Sequence, residues 1–127
     1  MSPIELMARR EALGLSQSRL ADYLHVAQNT LSAYERGARA ISDAIEVELI
    51  RLEDQAELVT DKALTILEAW PEGLGLPVLV AYRDDRDLWA AIPELDGLPA
   101  VVHRVALARV LIEWEGEPIE IVEKPEH

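Results

Sequence analysis

The chain has 127 residues, half of them hydrophobic, no cysteine and a formal charge of −12. That length is within one domain's range, and the lack of cysteine excludes disulfides and thiolate metal sites. No apolar run reaches the roughly 18 residues of a membrane span, the three histidines have no metal-ligand spacing, and nothing points to a cofactor.

The opening MSPIELMARR has no signal-peptide pattern, so a cytoplasmic, nucleoid-associated protein is expected. Ser2-Pro3-Ile4-Glu5 has capping-box spacing with proline at the first helical position, which predicts a first helix with Ile4, Met7 and Ala8 facing inward and Gly14 closing it. Ser16 then caps a second helix whose stripe is Leu20, Ala21 and Leu24, with Gln17 and Arg19 on the polar side. His25 and Val26 are left for a turn. A third helix, from about Ala27 to Arg36, buries Leu31 and Tyr34 and stops at Gly37. Its outer face presents Gln28, Asn29, Thr30 and Ser32, side chains able to bond to base edges. Ser42-Asp43 starts a fourth helix with a cap and a favourable negative charge.

Leu15, Ser16, Gln17, Leu20, Ala21, Leu24, Val26, Gln28, Leu31, Ser32, Tyr34, Glu35 and Gly37 fall at the positions of one long pattern. On these residues the segment resembles the helix-turn-helix of the Xre/Cro/cI family of phage and bacterial repressors. Ala27 departs from it, since the family usually caps the recognition helix with Ser or Thr there. The resemblance implies an all-α, lambda-repressor-like reading head. Gln28, Asn29, Thr30, Ser32 and Ala33 are expected to contact bases, the amides pairing with adenine and the Thr30 methyl and Ala33 touching thymine methyls. Ser16, Gln17, Arg36 and Arg39 are expected on the phosphates. Arg10 and Glu35 match positions that commonly pair in the family, so Arg10 is expected to hold two helices together; the other reading puts it on phosphate.

A charge of −12 opposes binding to a polyanion, but its distribution is uneven. Residues 1–50 hold five Arg against seven acids, net −2, and residues 51–127 hold seven basic against seventeen acidic residues, net −10. Between residues 9 and 39 the net charge is +2. Specificity is therefore expected to rest on base contacts more than on bulk attraction.

From Ile45 the residues Leu49, Leu52, Ala56, Val59, Ala63, Ile66 and Trp70 follow alternating four-and-three spacing, the pattern of a heptad seam. Pro71, Gly73 and Gly75 end it. A helix of about 28 residues is predicted, with a break near Glu53-Asp54 as the alternative. Leu58, Leu64 and Leu67 widen the stripe, so it is expected both to hold the C-terminal segment and to meet a second chain. Leu52, Ala56, Val59, Ala63, Ile66, Trp70, Trp89 and Trp114 are the expected dimer contacts.

Beyond Pro71, Leu76 to Tyr82 reads as a strand, Asp84 to Ile92 as a small helix, and Asp96-Gly97 as a turn. Ala100 to His103 reads as a strand followed by a helix from Val105 to Trp114, or Ala100 to Trp114 as one helix. Pro118 to Val122 closes as a strand. On this β-α-β-α-β order, Trp89, Arg104 and Trp114-Glu115-Gly116, the second part resembles the dimerisation domain of anti-CRISPR-associated phage repressors. That implies repression of the protein's own operon.

The expected fold is α+β: residues 1–70 as a helix-turn-helix domain with a long connecting helix, and 71–127 as a small β-α-β-α-β dimerisation unit. The expected function is a homodimeric repressor of a palindromic double-stranded operator, and not an enzyme. One rival is an antitoxin-type regulator whose acidic second half binds a protein partner, and another is an interaction module that does not bind DNA. A third is a metal-dependent nuclease built on Asp84, Asp85, Glu123 and Lys124.

Overall fold

The computed structural model describes residues 1–123. The architecture is α+β, and the chain clusters into two compact units, Met1–Asp54 and Gln55–His127. The division falls inside a helix, earlier in the chain than the change of composition at Pro71.

The first unit holds α1 (Pro3–Ala12), α2 (Gln17–Leu24), α3 (Gln28–Glu35) and the start of α4 (Asp43–Glu68). Ser2 caps α1, its Oγ accepting from the Glu5 amide at 3.2 Å. The inward stripe of α1 differs from the expected one: Leu6 is fully buried, while Ile4 is 69% exposed and Ala8 is exposed as well. The stripe runs Leu6, Arg10, Leu13 at four-and-three spacing. A count of apolar residues misses it because one inward position is an arginine, tolerated there by an ion pair described below. Leu20, Leu31, Leu49 and Leu52 are completely shielded from solvent, each contributing roughly 1.5–3 kcal/mol.

Helix α4 is one helix of 26 residues, without a break at Glu53-Asp54. Ser42 Oγ accepts from the Ile45 amide at 3.4 Å. Its buried stripe begins as expected, with Ile45, Leu49, Leu52, Ala56, Val59 and Ala63, but then passes to Leu67 and leaves Ile66 51% exposed. A straight helix of 3.6 residues per turn drifts about 20° per heptad against a strict seven-residue repeat. After three heptads the inward position has moved by one residue. Leu52, Ala56, Val59 and Ala63 are thus core side chains of this chain, while Ile66 is left outside the core.

The second unit adds β1 (Val78–Ala81), α5 (Asp85–Ala91), a 3-10 turn (Pro93–Leu95), α6 (Ala100–Glu113) and β2 (Glu120–Glu123). The two strands pair in parallel, Val78 opposite Glu120 and Ala81 opposite Glu123. Parallel pairing demands a crossover, which α5, the 3-10 turn and α6 supply. No strand forms at Ala100 to His103. Those residues are the first turn of α6, as in the one-helix reading, because Val102, His103, Ala106, Leu107 and Val110 bury at helical spacing. Pro99 precedes the helix without a side-chain cap, and Asp85 Oδ1 accepts from the Ala100 amide at 2.7 Å instead. The order is therefore β-α-α-β, one strand short of the order on which the likeness to anti-CRISPR-associated repressors rests. Arg104 steadies the end of β1, its Nη1 donating to the carbonyls of Tyr82 (2.6 Å) and Arg83 (2.9 Å).

The three tryptophans, expected at a dimer contact, each donate their indole N–H within the chain: Trp70 to the Gly75 carbonyl, Trp89 to Leu98 and Trp114 to Glu117. An indole N–H seeks a partner when its ring is shielded, and here it pins a loop. Gly116 belongs to the last of these turns, since a Cβ there would lie 2.5 Å from the Trp114 ring. Among the described residues no helix is long and apolar enough to cross a membrane.

Candidate nucleic-acid interface

The joint between α2 and α3 consists of His25, Val26 and Ala27. Ser16 caps α2, its Oγ accepting from the Arg19 amide at 3.1 Å. At the other end His25 takes the left-handed conformation, with φ 57° and ψ 40°. The amides of His25 and Val26 return to the carbonyls of Asp22 and Ala21, at 3.2 and 3.0 Å. This closes α2 without glycine, although the left-handed region costs an L-residue roughly 1–2 kcal/mol. Ala27 begins α3 with no side-chain hydrogen bond to the helix start, consistent with its departure from the usual Ser or Thr.

Helix α3 turns Leu31, Tyr34 and Glu35 inward. Gln28 and Asn29 are exposed in its first turn, while Thr30, Ser32 and Ala33 are half-buried. The five expected base-reading residues therefore divide: two amides project freely, and three smaller side chains sit closer to the protein. Gly37, in the left-handed region at φ 74°, ends the helix. Arg36 and Arg39 are exposed just beyond it. Arg36 Nε donates to the Ser32 carbonyl at 3.3 Å. The Arg39 guanidinium carbon lies 5.7 Å from the centre of the Tyr34 ring, within cation–π range.

A buried ion pair joins α1 to the end of α3. Arg10 Nε and Nη2 donate to the two Glu35 carboxylate oxygens at 2.8 and 2.9 Å, and Arg10 Nη1 donates to the Leu15 carbonyl at 2.9 Å. Gln17 Nε2 donates to the same carboxylate at 3.2 Å. One polar node thus ties α1, the start of α2 and the end of α3. Burial pushes the Glu35 carboxyl upward, but the bonds from Arg10 and Gln17 and the Arg10 charge outweigh it and hold the group below its usual range. Of the expected phosphate contacts, Gln17 has one of its two amide hydrogens taken by this node. Ser16 remains exposed at the start of α2 with its hydroxyl accepting the cap bond.

Arg9 is likewise engaged, its Nε donating to Glu53 Oε2 and its Nη1 to Glu5 Oε2, both at 3.0 Å. Two of the five arginines in the positive window are thus paired with carboxylates, and Arg36 and Arg39 lie beyond the C-terminal end of α3, opposite the end that carries the exposed amides. The Glu5 contact is foreshadowed by spacing of four along a helix. The Glu53 contact, 44 residues away, has no local signal.

The acids considered for a nuclease have structural partners. Asp84 Oδ1 accepts from the Asp87 amide at 2.9 Å, Asp85 from Ala100, and Glu123 Oε1 from Arg83 Nε at 2.7 Å. Lys124 lies outside the described residues. Among those described, no group of three or more His, Asp or Glu side chains is placed to hold a metal ion.

Residues 6–49 match a protein-family model described as Helix-turn-helix. The match begins at Leu6 in α1 and ends at Leu49 in α4, so it takes in the ion pair, the turn at His25 and all of α3. No curated protein matches the chain.

Proposed function

We propose that this chain, which over residues 6–49 belongs to the Xre/Cro/cI-type helix-turn-helix family, is a sequence-specific transcriptional repressor that binds an inverted-repeat operator as a homodimer. DNA-binding transcription regulation is the property of the family. Occupancy of a promoter, the protein's own operon included, is the further step proposed.

The observation that carries the reading is the exposure of Gln28 and Asn29 in the first turn of α3. The N-terminal residues of a recognition helix enter the major groove first. A side-chain amide there pairs with adenine N6 and N7, while the Thr30 methyl and Ala33 lie near a thymine methyl and Ser32 bonds to several bases. Ser16, the remaining Gln17 N–H, Arg36 and Arg39 take phosphates and fix the head in register. With a net charge of −12, non-specific affinity is low, which leaves discrimination to the base contacts.

A homodimer places two heads on half-sites about 34 Å apart. The dimer contact is assigned to the second unit, where Ile112 on α6 is 82% exposed. Selection from random double-stranded DNA tests the whole reading: a palindrome with two half-sites one turn apart supports it, and the absence of any preferred sequence removes it. A second reading is favoured by the charge of −10 over residues 51–127: a regulator whose acidic half also binds a basic protein partner.

A further inference from the structure

Strand β1 has one edge against β2 and one edge without a strand, since the sheet has two strands among the described residues. Along a strand the N–H and C=O of one residue point to the same edge, and the next residue turns its pair to the other. The Pro77 carbonyl accepts from the Glu120 amide at 3.3 Å, which sets the order. Pro77, Leu79 and Ala81 therefore direct their main-chain groups toward β2, and Val78 and Val80 direct theirs to the open edge. Among the described residues, no hydrogen bond outside the ladder takes a main-chain group of Val78 or Val80. Each of these residues thus offers one unmet donor and one unmet acceptor in a single row.

The two edges of the sheet differ in what guards them. Strand β2 carries Glu120 and Glu123, both exposed. Val78–Ala81 contains no charge and no proline, and Val78 and Val80 are each 37% exposed. Free edges in native proteins are protected by charge, proline or a bulge, and an edge without them is open to pairing with another chain. Leu58 and Ile66 of α4 line one groove with Val78 and Val80, and they are 59% and 51% exposed. The four side chains expose roughly 350 Å² per copy, the size of patch that marks a protein contact. Gln55, Lys62 and Glu94 lie along the same groove, as a polar rim does at a subunit contact.

We propose that β1 pairs antiparallel with β1 of a second copy across a two-fold axis, joining two sheets into one of four strands. The proposal rests on the homodimer reading above and names its seam. The open edge calls for an extended backbone, and its composition selects which one. The edge itself carries no carboxylate for a basic partner segment. A two-fold pairing needs an edge complementary to itself, and this one is. With Leu79 on the axis, Val78 exchanges both main-chain bonds with Val80 of the partner subunit, and Val80 does so with the partner subunit's Val78. Every open group of the row is then met, and valine faces valine across the seam.

The test begins with sedimentation equilibrium of the full chain from about 1 to 200 µM, the range suited to a contact of this small area. A dimer forming at micromolar concentration is expected. Val80→Pro removes an outward N–H that the ladder to β2 does not use, so it should weaken self-association about tenfold or more. Val80→Lys guards the edge with charge, as on β2, and should weaken it likewise without altering the backbone. Hydrogen exchange at the Val78 and Val80 amides should slow as the dimer forms. In a mixture of ¹³C-labelled and unlabelled chains, the Leu79 Hα should show a cross-relaxation peak to the Hα of Leu79 of the partner subunit. A dimer whose Val78 and Val80 amides exchange freely, or one undiminished in both variants, would overturn the seam and leave the homodimer reading standing. A parent that stays monomeric throughout, alone and on its selected palindrome, would overturn both.

Discussion

Arg10 on α1 and Glu35 on α3 form a two-pronged ion pair whose side chains are 12% and 1% exposed. The pair joins α1 to the end of α3, the helix that carries Gln28 and Asn29 in its first turn, and Gln17 joins it from α2. A buried pair of this kind is costly to break singly, because the remaining charge loses its partner. Glu35→Ala or Arg10→Ala is expected to destabilise the first unit by about 3–5 kcal/mol in urea unfolding. The double variant Arg10→Met, Glu35→Leu is expected to lose much less than the sum of the single losses. Additive losses would show that the two side chains act separately.

The same pair sets an acid limit. The Glu35 carboxyl is held below its unfolded value of about 4.3. Its contribution is therefore complete above that pH and is lost as the pH falls through the lower folded-state value. Urea midpoints followed downward from pH 5 should fall more steeply in the parent than in Glu35→Gln. Parallel slopes would contradict the assignment.

The turn makes a prediction about backbone shape alone. His25 at φ 57° should accept glycine with a change within about 0.5 kcal/mol, since relief of the left-handed strain offsets the added freedom of the unfolded chain. His25→Val should cost about 1–2 kcal/mol, because a β-branched side chain is poorly accommodated in that region. Thermal unfolding of the two variants reads the contrast, and equal losses would count against a left-handed residue 25.

Ala27 leaves the start of α3 without a side-chain cap. Ala27→Ser is expected to stabilise the protein by about 1 kcal/mol, read as a higher urea midpoint at unchanged slope. A neutral result would mean that these amides are already satisfied.

Much of the first unit was legible because its signals are local. Ser2, Ser16 and Ser42 cap where capping residues are expected, Gly37 ends α3, and Leu20, Ala21 and Leu24 form the predicted stripe. What escaped depends on distant partners. The inward stripe of α1 was misread because Arg10 occupies an inward position only by virtue of Glu35, 25 residues away. The step from Ile66 to Leu67 on α4 reflects helix geometry that a strict heptad ignores. At Ala100 to His103 two β-branched residues favoured a strand locally, and burial along α6 decided for helix. The polar node is a property of packing, which no spacing reveals.

Arg39 is assigned to phosphate and not to a base. Arg39→Ala should weaken binding on all DNA sequences alike and reduce the slope of log affinity against log salt by roughly one. The loss of its contact with Tyr34 is worth about 0.5–1 kcal/mol of stability at an exposed site, small enough for the head to remain folded. An unchanged salt slope would remove Arg39 from the phosphate contacts.

Gln28 and Asn29 decide whether this surface reads sequence. With an operator obtained by selection, the affinity for that operator and for a shuffled duplex is measured at one salt concentration, for the parent and for Gln28→Ala and Asn29→Ala. Each substitution is expected to cost about 1–3 kcal/mol on the operator, with relaxed preference at one base position per half-site, and to leave the shuffled duplex nearly unaffected. Equal weakening on both duplexes, or no change on either, would contradict the assignment of base recognition to α3.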